Sequence, residues 1–234
     1  MPVRRLPELI AHRGMPRQHR ENTLPGFLAA TAAGADGWEL DVHATRDGVV
    51  VVHHDPVLPA SAGGLAGAVI AALEWTQLAS VVVGAAGERI PTLDAVLEAA
   101  GRDTSVYVEV KARGIDDAVL ACLTRHPGAA AAVHSFDHRI ARRVALAAPH
   151  RPVGILTDSY LVDPVHALRA ANARDYWPHR ELVDGELVDA IHSAGGRVVV
   201  WTVNEPSHAR RLADLGVDAL CTDVVDVLRL ALAD

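Results

Sequence analysis

Short runs rich in β-branched residues alternate with helical patterns along the whole chain, and this alternation limits the possible folds more than any other feature. Parallel strands need crossover connections, so strands separated by helices are typical of parallel sheets. The predicted strands are residues 8–12, 37–43, 106–111, 131–136, 152–156, 174–177, 197–203 and 218–222. Repetition of this unit through 234 residues predicts an α/β fold, a TIM (β/α)8 barrel with residues 1–234 as a single domain.

Residue types at the ends of the predicted helices support this alternation. The predicted N-caps are Thr23, Thr92, Asp163 and either Asn204 or Glu205, and glycines follow three of these helices at 34, 101 and 216. A doubly wound open sheet is the alternative fold. However, no glycine-rich phosphate loop follows the first strand, so the barrel is favoured.

The segment WELDVHATRDGVVVVHHD, residues 38–55, departs from the simple alternation. Asp47-Gly48 lies between two apolar runs and predicts a hairpin. We therefore expect residues 49–55 to return antiparallel to the second strand, as a short excursion rather than a barrel strand. Residues 59–89 show the least regular pattern, and we expect them to form a small insertion above the barrel.

Charged side chains collect at the predicted carboxyl ends of the strands, where a barrel places its chemistry. Alternation puts Glu39 and Asp41 on one face of the second strand, and Glu109 and Lys111 on one face of the third. Carboxylates that converge inside a barrel need a counter-charge, because burial and mutual repulsion oppose ionisation. An all-oxygen set predicts a hard divalent cation, Ca²⁺ or Mg²⁺. The alternative is a structural ion network in which Arg13 and Lys111 neutralise the acids.

Two histidines are expected beside these acids. His12 ends the first strand, and the returning arm brings His54 back towards the level of Glu39. His53 alternates to the opposite face of the arm, so we expect it to support the arm or to lie at the surface. The hairpin therefore delivers one histidine to the carboxylates.

Composition narrows the class of partner. A formal net charge of −7, without any Lys/Arg-rich run, argues against binding to nucleic acid. The sequence has neither the apolar core of a signal peptide nor an apolar stretch of membrane-spanning length, so we expect a cytoplasmic protein without stable membrane insertion. Cys122 and Cys221 do not suggest a disulfide framework. Lys111 is the one lysine among 22 basic residues, which is consistent with a need for a compact charge there.

Seven short motifs, in this order, resemble those of the glycerophosphodiester phosphodiesterase family. They are HRG at 12–14, ENT at 21–23, ELD at 39–41, HD at 54–55, EVK at 109–111, SF at 135–136 and WTVN at 201–204. The resemblance covers essentially the whole chain. It implies a TIM barrel that hydrolyses a small-molecule glycerophosphodiester to glycerol 3-phosphate and an alcohol.

The resemblance also implies roles for individual residues. These are divalent-cation ligands at Glu39, Asp41 and Glu109, an acid/base pair at His12 and His54, phosphate contacts at Arg13 and Lys111, and a pocket wall at Trp201. The resemblance does not say which histidine is the acid. The implied nucleophile is the neighbouring hydroxyl of the glycerol, which gives a cyclic phosphate that water then opens.

Three segments depart from the family pattern. Arg20 precedes ENT where a proline is usual, residues 58–62 replace an Arg-Thr-rich segment, and Val225 ends what is commonly a Thr-Asp-x-Pro pattern. The altered segment after HD leaves the alcohol group open. Two other functions are considered: a phospholipase D-like activity on lysolipids or sphingolipids, which an exposed apolar patch around 59–89 would favour, and a non-catalytic barrel that binds a phosphorylated ligand.

Overall fold

The computed structural model describes residues 6–233, which contain a closed barrel of parallel strands. The barrel strands are β1 (Glu8–His12), β2 (Gly37–Ala44), β4 (Ser105–Val110), β5 (Ala131–Ser135), β6 (Val153–Thr157), β7 (Asp175–Pro178), β8 (Arg197–Val200) and β9 (Ala219–Thr222). β1 pairs with both β2 and β9, and these pairings close the sheet. The predicted TIM barrel is confirmed.

One further strand, β3 (Val50–Val52), lies antiparallel to the end of β2. The turn between them contains Gly48, whose φ of 82° lies in the left-handed region that glycine adopts most readily. The hairpin predicted at Asp47-Gly48 is therefore present. Its regular part is shorter than the predicted range 49–55, because the chain leaves the ladder after Val52.

Helices connect the strands and cover the outside of the barrel. The α-helices are α1 (Leu24–Ala32), α2 (Trp75–Leu78), α3 (Leu93–Ala100), α4 (Asp116–Arg125), α5 (His138–Ala147), α6 (Pro164–Ala170), α7 (Gly185–Ser193), α8 (Pro206–Leu215) and α9 (Val225–Ala233). Short 3₁₀ helices occur at Ala60–Leu65, Ile70–Ala72 and Arg180–Leu182. Among residues 6–233, no helix has the length and apolar character needed to cross a membrane.

The predicted helix caps are confirmed in part. The side chains of Thr92 and Asp163 accept backbone hydrogen bonds and cap α3 and α6. Thr23 occupies the cap position of α1, but its hydroxyl donates to the Arg20 carbonyl at 2.6 Å and so does not cap. Asn204 is not the cap of α8, since the following residue takes that position.

The side chains of β2 divide between two environments, as strand alternation predicts. Trp38 and Leu40 are buried in the main core between sheet and helices, where Trp38 stacks on Phe27 with ring centroids 5.3 Å apart. Glu39 and Asp41 have the opposite direction and face the barrel interior. A smaller apolar cluster fills that interior, and it consists of Ile10, Tyr107, Ala132, Leu156, Trp177, Val199, Ala219 and Cys221.

The strand predicted at 197–203 is shorter in the structure and ends at Val200. Trp201 forms only an isolated bridge with His179, and the Arg180 amide donates to the Trp201 carbonyl at 2.8 Å. The chain therefore leaves the sheet at Trp201, which becomes part of a loop at the carboxyl end of the barrel.

Residues 59–89 fold beside the returning arm around an apolar cluster of their own. The buried members of this cluster are Val51, Leu58, Ile70, Leu73, Leu78, Val81, Val83 and Ile90. Because Val51 lies in β3, the cluster ties the segment to the arm that carries His54.

The turn after β1 depends on Gly14. Its φ is 87°, and a Cβ at this position would lie 2.7 Å from the carbonyl carbon of Gly26 in α1. Gly48 has a similar φ of 82°, yet a Cβ there would meet nothing within 4 Å. The two glycines thus share backbone conformation and differ in crowding.

We expect Gly14→Ala to lower the free energy of unfolding by about 2–5 kcal/mol. Left-handed backbone costs a residue with a Cβ about 1–2 kcal/mol, and overpacking adds about 1–3 kcal/mol. Gly48→Ala carries only the first cost and is the matched control. Equilibrium unfolding in urea measures both variants, and equal losses would show that the turn is not packed against α1 as described.

Candidate active site

A cavity of about 260 Å³ opens at the carboxyl end of the barrel. Its lining residues are His12, Arg13, Glu39, His54, Glu109, Lys111, His134, Phe136, Leu156, Trp177, Trp201, Thr202 and Cys221. Seven of the eight residues predicted for the site are in this lining. The eighth, Asp41, is fully buried and contacts two of the lining side chains, Arg13 and Lys111.

Strand register places the acids at matched levels. His12 lies opposite Glu39 across β1 and β2, and Asp41 lies opposite Glu109 across β2 and β4. His134 of β5 lies opposite Glu109 of β4 and so continues the row formed by Asp41 and Glu109. Since these positions share the inward face, the register alone brings carboxylates and imidazoles from four strands together.

Two cationic side chains hold the acids of this cluster. Arg13 Nε lies 3.0 Å from Asp41 Oδ2, and Arg13 Nη1 donates to Glu21 Oε2 at 3.1 Å. Lys111 Nζ lies 2.9 Å from Glu109 Oε1 and 3.5 Å from Asp41 Oδ1. The ion network considered as the alternative to a cation is therefore formed, although it does not complete the charge balance.

The pKa shifts of Asp41 and Glu109 show that the two cations do not balance the charge of the acids. Burial raises the pKa of the Asp41 carboxyl, but the charges of Arg13 and Lys111 outweigh burial and hold it below its usual range. For Glu109, burial and the charge of Asp41 raise the pKa to about 7, against the opposing effect of Lys111. Additional positive charge would stabilise ionised Glu109.

The site has ligand atoms suited to a divalent cation. Glu39, Glu109 and His134 each offer one, and these atoms all lie within 4.8 Å of one another. Asp41 is outside this group and lies against Arg13 and Lys111. Its Oδ1 nevertheless has no hydrogen-bond partner within the described residues, and the same is true of both buried ring nitrogens of His134. A cation would satisfy atoms of this kind.

His12 is fixed by an aspartate from the far end of the chain. Its Nδ1 donates to Asp223 Oδ1 at 2.7 Å, and its Nε2 lies 4.0 Å from Glu39 Oε2. Asn204 holds the other Asp223 oxygen, donating from Nδ2 at 2.7 Å. Burial opposes the imidazolium, but the hydrogen bond to Asp223 and the charge of Glu39 outweigh it and raise the pKa of His12. The pairing leaves Nε2 available on the cavity side.

His54 has a similar arrangement within the returning arm. Its Nδ1 donates to Asp55 Oδ1 at 2.9 Å, and His43 Nε2 donates to the His54 carbonyl at 3.0 Å. His53 is buried outside the cavity lining, with its Nδ1 donating to the Asp55 carbonyl at 2.9 Å. Burial lowers the pKa of His53. The arm thus places His54 at the cavity, whereas His53 forms a hydrogen bond within the arm.

The backbone is strained where the first loop reaches the acids. Arg13 and Asn22 have φ values of 55° and 58°, a conformation that costs a non-glycine residue free energy. Asn22 N donates to the Arg13 carbonyl at 3.0 Å, and Asn22 Nδ2 donates to Asp41 Oδ2 at 2.8 Å. This geometry lets both residues bind the same buried carboxylate.

Aromatic side chains form part of the cavity wall. Trp201 Nε1 donates to the Trp177 carbonyl at 3.0 Å, and Phe136 packs edge-on against Trp201 with centroids 5.4 Å apart. His134 stacks on Trp177 at 4.4 Å with an interplanar angle of 8°. The cavity lining therefore combines charged and aromatic side chains.

Among the residues that sequence reasoning misses are three whose polar side chains lie beside the predicted site residues. Asn22 carries a signal as the centre of the ENT motif, and Asp223 directly follows the last strand. His134 lies at the carboxyl end of β5 with the same parity as Ala132, which faces the barrel interior. All three depend on contacts between distant segments.

Comparison with known families gives a match over most of the chain. Residues 12–227 match the sequence model of the Glycerophosphoryl diester phosphodiesterase family. A glycerophosphodiester phosphodiesterase from Caldanaerobacter subterraneus is 33% identical, with 94% of this chain and 95% of the relative covered. A probable glycerophosphodiester phosphodiesterase 2 from Mycobacterium tuberculosis is 32% identical, with coverage of 94% and 88%.

Solved structures show the same architecture. An Oleispira antarctica phosphodiesterase, in complex with the product sn-glycerol-3-phosphate, superposes with a TM-score of 0.90 at 26% identity, covering 98% of each chain. A putative glycerophosphoryl diester phosphodiesterase from Silicibacter pomeroyi gives a TM-score of 0.88 at 26% identity, covering 100% of this chain and 95% of the other.

Proposed function

The chain belongs to the glycerophosphoryl diester phosphodiesterase family, and we propose that it hydrolyses glycerophosphodiesters to glycerol 3-phosphate and an alcohol. One observation carries the proposal. A single cavity contains two histidines, each held at Nδ1 by an aspartate, together with two cationic side chains and two carboxylates. The product complex of the Oleispira antarctica enzyme, which shares this fold, supports the same substrate class.

We propose Glu39, Asp41 and Glu109 as ligands of a divalent cation, Ca²⁺ or Mg²⁺. The buried position of all three acids supports this assignment, as does the 4.8 Å grouping of ligand atoms from Glu39 and Glu109. Asp41 Oδ1 also supports it, because it accepts no hydrogen bond within the described residues and its ion-pair contact to Lys111 Nζ is 3.5 Å long. When bound, such a cation supplies Lewis-acid stabilisation of negative charge on phosphoryl oxygens.

Arg13 and Lys111 are proposed to bind the phosphate. Both line the cavity, and both reach it from the positions directly after β1 and β4. Arg13 contacts Asp41 and Glu21, and Lys111 contacts Glu109. Each of the two side chains therefore places N–H donors at the edge of the acid cluster. A phosphodiester placed there would receive hydrogen bonds from both, which stabilises charge that develops on its oxygens.

His12 and His54 are proposed as the acid and base. One takes the proton from the neighbouring glycerol hydroxyl as its oxygen bonds to phosphorus, and the other protonates the alkoxide as its bond to phosphorus breaks. Water then opens the resulting cyclic phosphate by the reverse proton transfers. The aspartate at each Nδ1 fixes a tautomer and directs Nε2 towards the reacting atoms.

The alternatives receive less support. Most large apolar residues of the 59–89 segment are buried in its own cluster, and Val69 and Val82 are the exposed ones, so a landing surface for lipid is not favoured. A binding protein without turnover has no need of two aspartate-held histidines. We also propose one catalytic domain, no nucleic-acid partner and a cytoplasmic location, the last supported by free, buried Cys122 and Cys221.

The direct test is release of glycerol 3-phosphate from glycerophosphocholine, glycerophosphoethanolamine and glycerophosphoglycerol. We expect turnover with added Mg²⁺ or Ca²⁺ and its loss in excess EDTA, with recovery when the cation is restored. The relative rates identify the preferred alcohol. No release from any of the three substrates under any metal condition would contradict the proposed function, and full turnover in EDTA would contradict the metal assignment alone.

His54→Gln and His53→Gln form a matched pair that tests the returning arm. We expect His54→Gln to lose about a hundredfold or more in kcat, the usual scale for a positioned acid or base, because His54 lines the cavity. His53→Gln should lose less than about fivefold. Steady-state kinetics on folded protein measures both, and a larger loss at His53 would show that the arm presents the wrong histidine in this account.

A further inference from the structure

The structure places an imidazole among the proposed metal ligands, where the sequence predicts only oxygen. We propose that His134 supplies a nitrogen ligand to the cation, and that the site therefore takes borderline divalent ions such as Co²⁺ or Zn²⁺ in preference to Ca²⁺. The inference rests on the proposed function only for the presence of a cation at this site.

The position of His134 supports direct coordination. It lies opposite Glu109 in the β4–β5 ladder, and its Nε2 is 3.6 Å from Glu39 Oε1. Ligands on opposite sides of a six-coordinate ion lie about 4–5 Å apart, since each bond is about 2.0–2.5 Å long. The 4.8 Å grouping of Glu39, Glu109 and His134 therefore matches the span of one coordination sphere.

His134 is also a buried polar side chain whose hydrogen-bonding capacity is unsatisfied within the described residues. Its side chain is 1% exposed, and neither ring nitrogen has a hydrogen-bond partner within residues 6–233. The contact to Glu39 at 3.6 Å is longer than a hydrogen bond. A buried polar atom without a partner costs free energy, and a cation bound at a ring nitrogen would remove that cost for one of the two.

The ring is held in one orientation before any ion binds. Trp177 stacks on it with centroids 4.4 Å apart, and Gly154 makes room for that indole, since a Cβ at 154 would lie 2.7 Å from Trp177 Nε1 and 3.2 Å from His134 Cβ. A ligand oriented in this way loses little freedom on binding. Packing thus keeps the imidazole edge facing the carboxylates.

Ion preference follows from the donor set. Calcium favours oxygen ligands in a large, flexible sphere, whereas imidazole suits first-row transition metals and zinc. A nitrogen ligand from His134 therefore shifts relative affinity towards Co²⁺ and Zn²⁺.

The test uses Mn²⁺ bound to the whole protein and measures nitrogen coupling by pulsed electron paramagnetic resonance. A directly bonded nitrogen gives a hyperfine coupling to the manganese electron spin. We expect this coupling in the wild-type protein, its loss in His134→Gln, and its retention in His12→Gln. His12→Gln is the matched control, because His12 Nε2 lies 4.0 Å from Glu39 on the other side of the same cluster.

Affinity gives a second readout that does not depend on turnover. His134→Gln should weaken Co²⁺ binding about tenfold or more while changing Ca²⁺ binding less than about threefold, since glutamine offers calcium an oxygen in place of the nitrogen. Retained Ca²⁺ binding also shows that the variant is folded.

Three results would overturn the inference. Mn²⁺ that binds wild-type protein without nitrogen coupling excludes His134 as a ligand and leaves the proposed cation site intact. Coupling that survives in His134→Gln and disappears in His12→Gln assigns the nitrogen to His12. Absence of any Mn²⁺ or Ca²⁺ binding removes the cation site itself, and the metal part of the proposed function with it.

Discussion

The interaction on which the rest of the site depends is the burial of carboxylates at the mouth of a closed barrel. Glu39, Asp41 and Glu109 are almost removed from water, and Arg13 and Lys111 offset only part of their charge. Residues of the neighbouring loop stabilise this cluster. The strained backbone at Arg13 lets this residue bind the Asp41 carboxylate, and the Asn22 side-chain amide donates to the same carboxylate. Gly14 allows the adjacent turn to pack closely against α1.

Closure of the barrel is as important to chemistry as it is to stability. His12 belongs to the first strand, while its partner Asp223 follows the last, and the two meet because β1 pairs with β9. His54 obtains its aspartate locally, from the next residue in the chain. Two histidines that each donate from Nδ1 to an aspartate are thus built by different means, one through topology and the other through a hairpin. In an open sheet with its strands in chain order, the first and last strands would lie at opposite edges and His12 could not reach Asp223.

Much of this arrangement follows from period-two patterns. Alternation along β2 separates Trp38 from Glu39, and repetition of β/α units predicts the barrel, so both are readable in the sequence. His134 and Asp223 are not, because their contacts require the register between β4 and β5 and the closure of β1 on β9. Thr23 and Asn204 have the residue types of helix caps, yet the Thr23 hydroxyl donates to the nearby Arg20 carbonyl and the Asn204 amide donates to the distant Asp223. Local propensity cannot include such competing partners.

The central claim is that ionised Glu109 destabilises the metal-free fold and that a cation reverses this effect. Its pKa of about 7 exceeds the ordinary value, so the folded state loses stability as pH rises from about 4.5 through 7, and the loss is complete at pH 8. Thermal unfolding of wild type and Glu109→Gln at pH 8, in EDTA and with excess Mg²⁺ or Ca²⁺, measures this directly. We expect Glu109→Gln to have a Tm several degrees above wild type in EDTA, and the cation to raise the Tm of wild type far more than that of the variant. A variant that is less stable in EDTA and gains as much as wild type from the cation would contradict it.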